Sequence, residues 1–179
     1  GFTRLTEQNE VGAVVSMLNE YFAVLTEAAY QHDGTIFNMA GDSLLVGFNV
    51  PFPQPDAPER AWRTALEMVG RFAPVAEAWR ERHGLVLGVG VGICAGDAII
   101  GNVGSAHYAN YTIIGNPVNT AARLMQMAAP GEVLLCGPLY ERTRHLLPAD
   151  HVEARGDVTL RGRSEAMPVF AVNVLREQA

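Results

Sequence analysis

The chain contains no lysine, since all 13 of its basic residues are arginine. A P-loop lysine on a phosphate and a lysine Schiff base are therefore both excluded. Cysteine is also scarce: Cys94 and Cys136 are too few for a disulfide framework or a four-cysteine metal site. We expect a reducing, cytosolic setting, with both thiols packed as small apolar residues.

Long apolar runs and excess positive charge are missing as well. No stretch approaches the ~20 consecutive apolar residues of a membrane span, and the first residues do not resemble a secretory signal. A net charge of -6 opposes binding to nucleic acid. What remains is a chain of 179 residues, 49% hydrophobic and 18% charged, which indicates one globular domain over residues 1–179.

Hydrophobic periodicity predicts helices that alternate with pairs of strands. This order favours an α+β fold, with helices packed on a mostly antiparallel sheet. Proline at position 74 predicts a kink or break in the second helix. The predicted helices are Asn9–Gln31, Ala57–Arg82, Val118–Met127 and a short one after Pro138; the predicted strands are Thr35–Phe37, Ser43–Phe48, Leu85–Cys94, Ala98–Val103, Tyr111–Ile114, Val133–Cys136 and Val169–Val174.

The segment Gly90–Ala95 matches the G-x-G-x-x-A form of the dinucleotide-binding fingerprint. That motif works only when a helix begins directly after it, because the helix N-terminus meets the pyrophosphate. Here Gly96–Gly101 follows, with the composition of a turn and a strand. We therefore reject a nucleotide-dependent oxidoreductase and expect these glycines to permit close packing and a hairpin.

Three polar residues are candidates for chemistry. Asp42 follows Gly41 at a predicted hairpin tip, although a lone Asp there is ordinarily a turn residue. Asn119 and Arg123 are four residues apart at the start of a predicted helix and project from one face. Such a pair suits a phosphate whose charge rises in a transition state, and it could equally be a solvated polar stripe.

Six segments together resemble the catalytic domains of class III nucleotidyl cyclases, in particular the bacterial Thr-type adenylyl cyclases. They follow the order and spacing of that family and cover nearly the whole chain. The resemblance implies a ferredoxin-like βαββαβ-type core whose first strand precedes Gly1, so that the domain is expected to be incomplete at its N-terminus. The segments are Gly1–Thr3, Gly34–Asp42, Gly92–Gly96, Gly101–Ser105, Tyr111–Leu124 and Leu160–Arg163.

The resemblance also implies a reaction: a nucleoside triphosphate becomes a 3′,5′-cyclic nucleotide and pyrophosphate. Two Mg²⁺ or Mn²⁺ ions activate the ribose 3′-hydroxyl and clamp the phosphates. Asp42 matches the second of the family's two metal aspartates. The first would lie three residues before the motif that begins at Gly1.

Further roles follow from the same resemblance. Asn119 matches the residue that orients the ribose, and Arg123 matches the residue that stabilises the transition state. Backbone N–H groups around Phe2 and Thr3 would contact the triphosphate, and Arg161 would contact its terminal phosphates. Because the family combines residues of two subunits, a head-to-tail homodimer with two shared sites is implied, as is an upstream sensor or regulatory domain.

The base-reading positions depart from the usual adenylyl pattern. Asn38 stands where a lysine usually donates to adenine N1, and Thr112 fits the Thr subclass that accepts from the N6 amino group. The Asn38 amide can donate or accept, so it could also serve guanine. ATP is favoured; guanylyl or relaxed specificity, and a non-catalytic dimerisation or regulatory module, remain the alternatives.

Overall fold

The computed structural model describes residues 11–147, 149–159 and 166–175. The predicted contact residues Phe2, Thr3 and Arg161 lie outside these ranges. Within them the chain forms helices α1 (Val11–Gln31), α2 (Ala57–His83), α3 (Asn116–Met127) and α4 (Gly137–Thr143), and two short 3₁₀ helices, Arg144–Leu146 and Ala149–His151.

The described strands form three hydrogen-bonded sheets, in the orders β1-β2, β3-β6-β8-β7 and β4-β5. Only the β3–β6 pairing is parallel, and the other described pairings are antiparallel. The predicted α+β fold with mostly antiparallel strands is therefore confirmed. The strands are β1 (Thr35–Ala40), β2 (Ser43–Gly47), β3 (Val91–Ile93), β4 (Ile99–Gly104), β5 (Ala109–Ile114), β6 (Glu132–Cys136), β7 (Val152–Thr159) and β8 (Ala166–Asn173).

Helix α2 runs unbroken through Pro74, so of the predicted kink or break the break does not occur. Large side chains on either side of the proline, Phe72 and Trp79, are buried against the core and hold both halves of the helix. The helix ends at a left-handed Gly84 (φ 68°), whose N–H bonds to the Arg80 carbonyl. A left-handed glycine is a common C-terminal cap of α-helices.

Strand β6 is the centre of the fold, since all five of its residues are buried. It lies between β3 and β8, and α2, α3 and α4 pack around it. Its one charged residue, Glu132, is compensated by a hydrogen bond from the Ala129 N–H (2.9 Å) and by an ion pair with Arg155. A buried carboxylate needs such partners.

Strand β3 is shorter than the predicted strand Leu85–Cys94, and the glycines of this segment pack closely against α3 and the residue that follows it. A Cβ atom on Gly92 would lie 2.2 Å from the Ala121 carbonyl oxygen, and one on Gly90 would lie 2.9 Å from the Ala128 carbonyl oxygen. The expectation of close packing is confirmed, whereas that of a hairpin is wrong, because among the described strands β3 pairs with β6 and β4 pairs with β5. No helix begins after this motif, because a loop and β4 follow it.

No helix in the described ranges is long and apolar enough to span a membrane.

Candidate functional site

The tip of the β1–β2 hairpin carries Asp42. Gly41 precedes it with φ 60°, a left-handed conformation that glycine adopts without strain. The Ser43 hydroxyl closes the turn by donating to the Ala40 carbonyl at 2.8 Å. Asp42 itself is exposed, so a carboxylate stands on a defined turn with solvent in front of it.

Helix α1 holds this tip through Tyr21. The Tyr21 hydroxyl donates a hydrogen bond to the main-chain carbonyl of Asp42 at 2.9 Å, while its ring packs edge-on against Phe72. Burial, and next the nearby negative charge of Asp42, raise the pKa of Tyr21 to about 12. Sequence reasoning missed this residue, because a tyrosine on an amphipathic helix gives no signal of its long-range partner.

Aromatic stacking brings together the two strands that carry the predicted base-reading residues. The rings of Phe37 on β1 and Tyr111 on β5 stack with centroids 5.8 Å apart and planes at 20°. Each ring belongs to the residue directly before a candidate, Asn38 or Thr112. Asn38 is exposed and Thr112 is half-buried, so both can be reached from solvent.

A β-bulge in β1 positions the Phe37 ring of this stack. The register of β1 against β2 shifts between Ile36 and Asn38, which leaves Phe37 as the extra residue. The Phe37 ring lies over Gly47, where a Cβ atom would come within 2.6 Å of it. Sequence reasoning missed Phe37 and Tyr111, although an aromatic residue beside each candidate was visible.

Helix α3 presents Asn119 and Arg123 beside its buried face. Thr120 and Leu124 are 3% and 0% exposed and face the core, whereas Asn119 is exposed and Arg123 is half-buried. The predicted helical spacing of the two polar residues is therefore present. No carboxylate of the described residues forms an ion pair with Arg123, which leaves its guanidinium available to an external anion.

The predicted site residues lie on different elements of the chain. Asn38 and Thr112 lie on strands that meet at the aromatic stack, and Asn119 and Arg123 lie on α3. Within the described ranges, no hydrogen bond or ion pair joins Asp42 to either α3 residue.

A metal ion would find only part of its ligand set here. The described residues contain no group of three or more His, Cys, Asp or Glu side chains that could hold one. The Asp42 carboxylate has the hard oxygen chemistry that Mg²⁺ and Mn²⁺ prefer, so it fits one ligand position. Further ligands have to come from substrate phosphates or from groups outside the described part of the chain.

The β4–β5 ribbon exposes an unusual amount of apolar surface. Among the described strands, β4 and β5 hydrogen-bond only to each other. A two-stranded ribbon is marginally stable in water without further packing. The exposed residues of this ribbon and its turn are Ile99 (77%), Ile100 (37%), Val103 (50%), Tyr108 (72%), Tyr111 (45%) and Ile114 (50%).

Two surface concavities of about 450 Å³ lie elsewhere, around α4 and β8. Neither is lined by a predicted site residue. Asn38, Asp42 and Asn119 are themselves exposed, so the candidate residues are open to solvent in the single chain.

Sequence comparison finds one family over almost the whole chain. The family described as "Adenylate and Guanylate cyclase catalytic domain" matches residues 1–173. Adenylate cyclase 1 of Rhizobium meliloti is 33% identical over 175 residues, which are 96% of this chain and 26% of that protein. An uncharacterized protein of Mycobacterium tuberculosis is 32% identical over 167 residues, 87% of this chain and 29% of its own length. The chain thus spans between a quarter and a third of these relatives.

Solved structures agree with this similarity. The adenylyl cyclase CyaB from P. aeruginosa superposes with a TM-score of 0.87 and 28% identity, covering 96% of this chain and 88% of that one. The guanylyl cyclase Cya2 gives a TM-score of 0.84, also at 28% identity, covering 96% and 86%. Similarity of fold therefore does not distinguish between the two bases.

Proposed function

The chain belongs to the adenylate and guanylate cyclase catalytic domain family, and from this premise we propose that it converts ATP to 3′,5′-cyclic AMP and pyrophosphate at a site shared by two copies. The proposal rests on Asp42, Asn119 and Arg123. Their polar side chains are accessible, and they stand where the sequence resembles the family's motifs. No hydrogen bond or ion pair within the described subunit occupies the Arg123 guanidinium, and none joins Asp42 to α3.

Each of these residues has a chemical task that suits its side chain. Asp42 offers a carboxylate to divalent ions, which in this reaction supply charge for the phosphates and lower the pKa of the 3′-hydroxyl. Asn119 orients the ribose through its amide. Arg123 places a permanent positive charge where negative charge grows on the α-phosphate, which lowers the barrier if the charge is already in place.

We propose two copies because, within the described residues, no hydrogen bond or ion pair joins Asp42 to Asn119 or Arg123. We propose a head-to-tail homodimer in which Asp42 of one copy and Asn119 and Arg123 of the other complete each site. The exposed ribbon supports this arrangement, since Ile99 and Val103 on β4 are apolar and half-exposed or more. Burying such residues against a partner would remove the cost of leaving them in water.

ATP is the proposed substrate because Thr112 can accept a hydrogen bond from the adenine amino group, while Asn38 can donate to the ring. The aromatic stack supports joint action by keeping the strands of these residues adjacent. GTP is the second candidate, since the Asn38 amide can turn to meet guanine. Because the chain spans only part of its relatives, we also propose that a sensor or regulatory domain accompanies it.

A product assay tests the proposal. The full-length product of the gene is given ATP or GTP with Mn²⁺ or Mg²⁺, and cyclic nucleotide and pyrophosphate are quantified. Metal-dependent cyclic AMP with equal pyrophosphate is the expected result. Folded, dimeric protein that forms neither cyclic nucleotide would contradict it and favour a non-catalytic regulatory module.

A further inference from the structure

The two cysteines of the chain lie side by side at the ends of neighbouring strands. Strands β3 and β6 run parallel with Ile93 opposite Leu135, and Cys94 and Cys136 directly follow these partners. Residue Ala95 ties the two together, because its N–H donates to Cys136 Sγ at 3.4 Å while its carbonyl accepts from Cys94 Sγ at 3.7 Å. Adjacent strands lie about 4.8 Å apart, within the Cα separation of about 4.4–6.8 Å that a disulfide bridges.

The surroundings favour reaction of this pair. Cys136 is fully buried, whereas Cys94 is half-buried and offers the accessible sulfur. The hydrogen bond with Cys94, supported by the N–H groups of Ala95 and Leu139, lowers the pKa of Cys136 to about 7 against the opposing effect of burial. A thiolate is therefore populated near neutral pH, and thiolates are the reactive form of cysteine.

We propose that Cys94 and Cys136 are a site of reversible intramolecular disulfide formation, with hydrogen peroxide as the oxidant. Cys94 Sγ attacks one peroxide oxygen, the O–O bond breaks, and hydroxide leaves to become water. The Cys136 thiolate then attacks the resulting sulfenic sulfur and expels a second hydroxide, which also becomes water. Two thiols lose two electrons and two protons, and one peroxide yields two waters.

The new bond would act on the helix that carries the proposed catalytic pair. The residues after Cys94 pack tightly on the start of α3: a Cβ atom on Gly96 would lie 2.7 Å from Pro117 Cγ, and one on Gly115 would lie 3.1 Å from the Asp97 carbonyl oxygen. Packing this close transmits displacement, because interiors have little free space. Oxidation therefore alters the stability of the first turn of α3.

Mass spectrometry tests the site without reference to cyclase activity. Reduced protein is treated with peroxide, unfolded, and alkylated with N-ethylmaleimide. The expected product is a monomeric chain that has lost two hydrogen atoms, takes up no maleimide, and yields one peptide pair joining Cys94 and Cys136; dithiothreitol restores both thiols. Two maleimides per treated chain, or a bond only between chains, would overturn the proposal.

Single variants separate the two sulfurs. In Cys136→Ser, peroxide should leave a sulfenic acid on Cys94 that dimedone traps, whereas Cys94→Ser should leave the buried Cys136 unoxidised. If Cys136→Ser fails to fold, Cys136→Ala serves the same purpose, since it keeps an apolar atom in that position. Oxidation of Cys136 in Cys94→Ser as fast as in the parent chain would contradict the assigned order.

Amide hydrogen exchange tests the link to α3. Exchange over Asn116–Met127 should change severalfold in the disulfide form and stay constant in peroxide-treated Cys94→Ser. Unchanged exchange in fully cross-linked protein would refute that link. Because neither readout uses turnover, failure here and failure of the proposed cyclase activity are distinguishable.

Discussion

The Tyr21 hydroxyl and the Asp42 carbonyl oxygen, 2.9 Å apart, join the first described helix to the tip of the first hairpin. The bond is made to the backbone of the candidate metal ligand, so it positions the carboxylate without occupying it. A side chain on α1 thereby fixes the position of the β1–β2 turn.

Replacing Tyr21 with Phe should loosen this tip while leaving the core intact. Loss of one hydrogen bond of this kind costs about 1 kcal/mol in the free energy of unfolding. In the cyclase assay the variant should need more Mn²⁺ for half-maximal rate. Urea unfolding and a metal titration measure the two effects; unchanged metal dependence would show that the bond does not position Asp42.

The same variant gives a pH test. Because the pKa of Tyr21 is about 12 in the folded chain and about 10 when unfolded, the folded state holds its proton longer. This contribution to stability is complete below pH 10 and is lost as the pH rises from about 10 to 12. Tyr21→Phe should therefore lose less stability over that interval than the parent chain, as unfolding curves at several pH values would reveal.

Removing the Arg123 guanidinium should lower kcat by about 10²–10³-fold, the typical effect of deleting one group that stabilises transition-state charge. Arg142→Ala is the matched control, since Arg142 is an exposed arginine on α4. Both variants should keep the parent melting temperature. Undiminished turnover in Arg123→Ala would contradict the proposed role of Arg123 in stabilising the transition state.

Mixing two inactive variants tests whether sites are shared. Asp42→Ala and Arg123→Ala chains should regain activity together, because a mixed dimer has one site with both residues intact. Statistical mixing predicts about one quarter of parental activity, as half of the dimers are mixed and each carries one of two sites. No recovery, once mixed dimers are demonstrated, would argue against an interface of this geometry.

Adding charge to the β4–β5 ribbon should dissociate the proposed dimer. Ile99→Glu and Val103→Glu place carboxylates on the proposed interface, where burial of an unpaired charge is costly. Sedimentation should find monomers with little change in unfolding temperature, and activity should fall with dimer content. Val86→Glu is the control, because Val86 is 86% exposed and lies outside the ribbon.

Replacing Asn38 with lysine should increase the selectivity for ATP over GTP. A charged donor to adenine N1 strengthens that contact, so Asn38→Lys should raise kcat/KM for ATP relative to GTP by tenfold or more. Thr112→Ala should lower the same ratio by removing the acceptor. Asn19→Lys adds the same charge at an exposed position on α1, outside the ribbon, and should leave the ratio unchanged.

Local patterns were enough to predict most elements, and long-range contacts explain the failures. The periodicity of α1 and the Asn119–Arg123 spacing follow from the helix repeat, which a sequence displays directly. The stack of Phe37 on Tyr111 joins distant strands, and no local pattern encodes it. The role of Phe2, Thr3 and Arg161 stays a prediction, because they lie outside the described residues.

Strand β7 illustrates the same limit. Its sequence alternates charged residues, Glu153, Arg155 and Asp157, around a glycine, so it lacks the apolar repeat of a predicted strand. Among the described strands it pairs only with β8, at the edge of the four-stranded sheet, where one side meets water and polar residues cost little. The register also shifts between Ala154 and Gly156, which further blurs the pattern.

The exposed ribbon gives the proposed enzyme a particular response to its own abundance. If each site forms only when two chains meet, the rate well below the dimer dissociation constant grows with the square of protein concentration, and above it only linearly. Below that constant, doubling the concentration of the chain would therefore quadruple the rate of synthesis. A sensor that merely brought two chains together would be sufficient to switch on synthesis, with no rearrangement inside either copy.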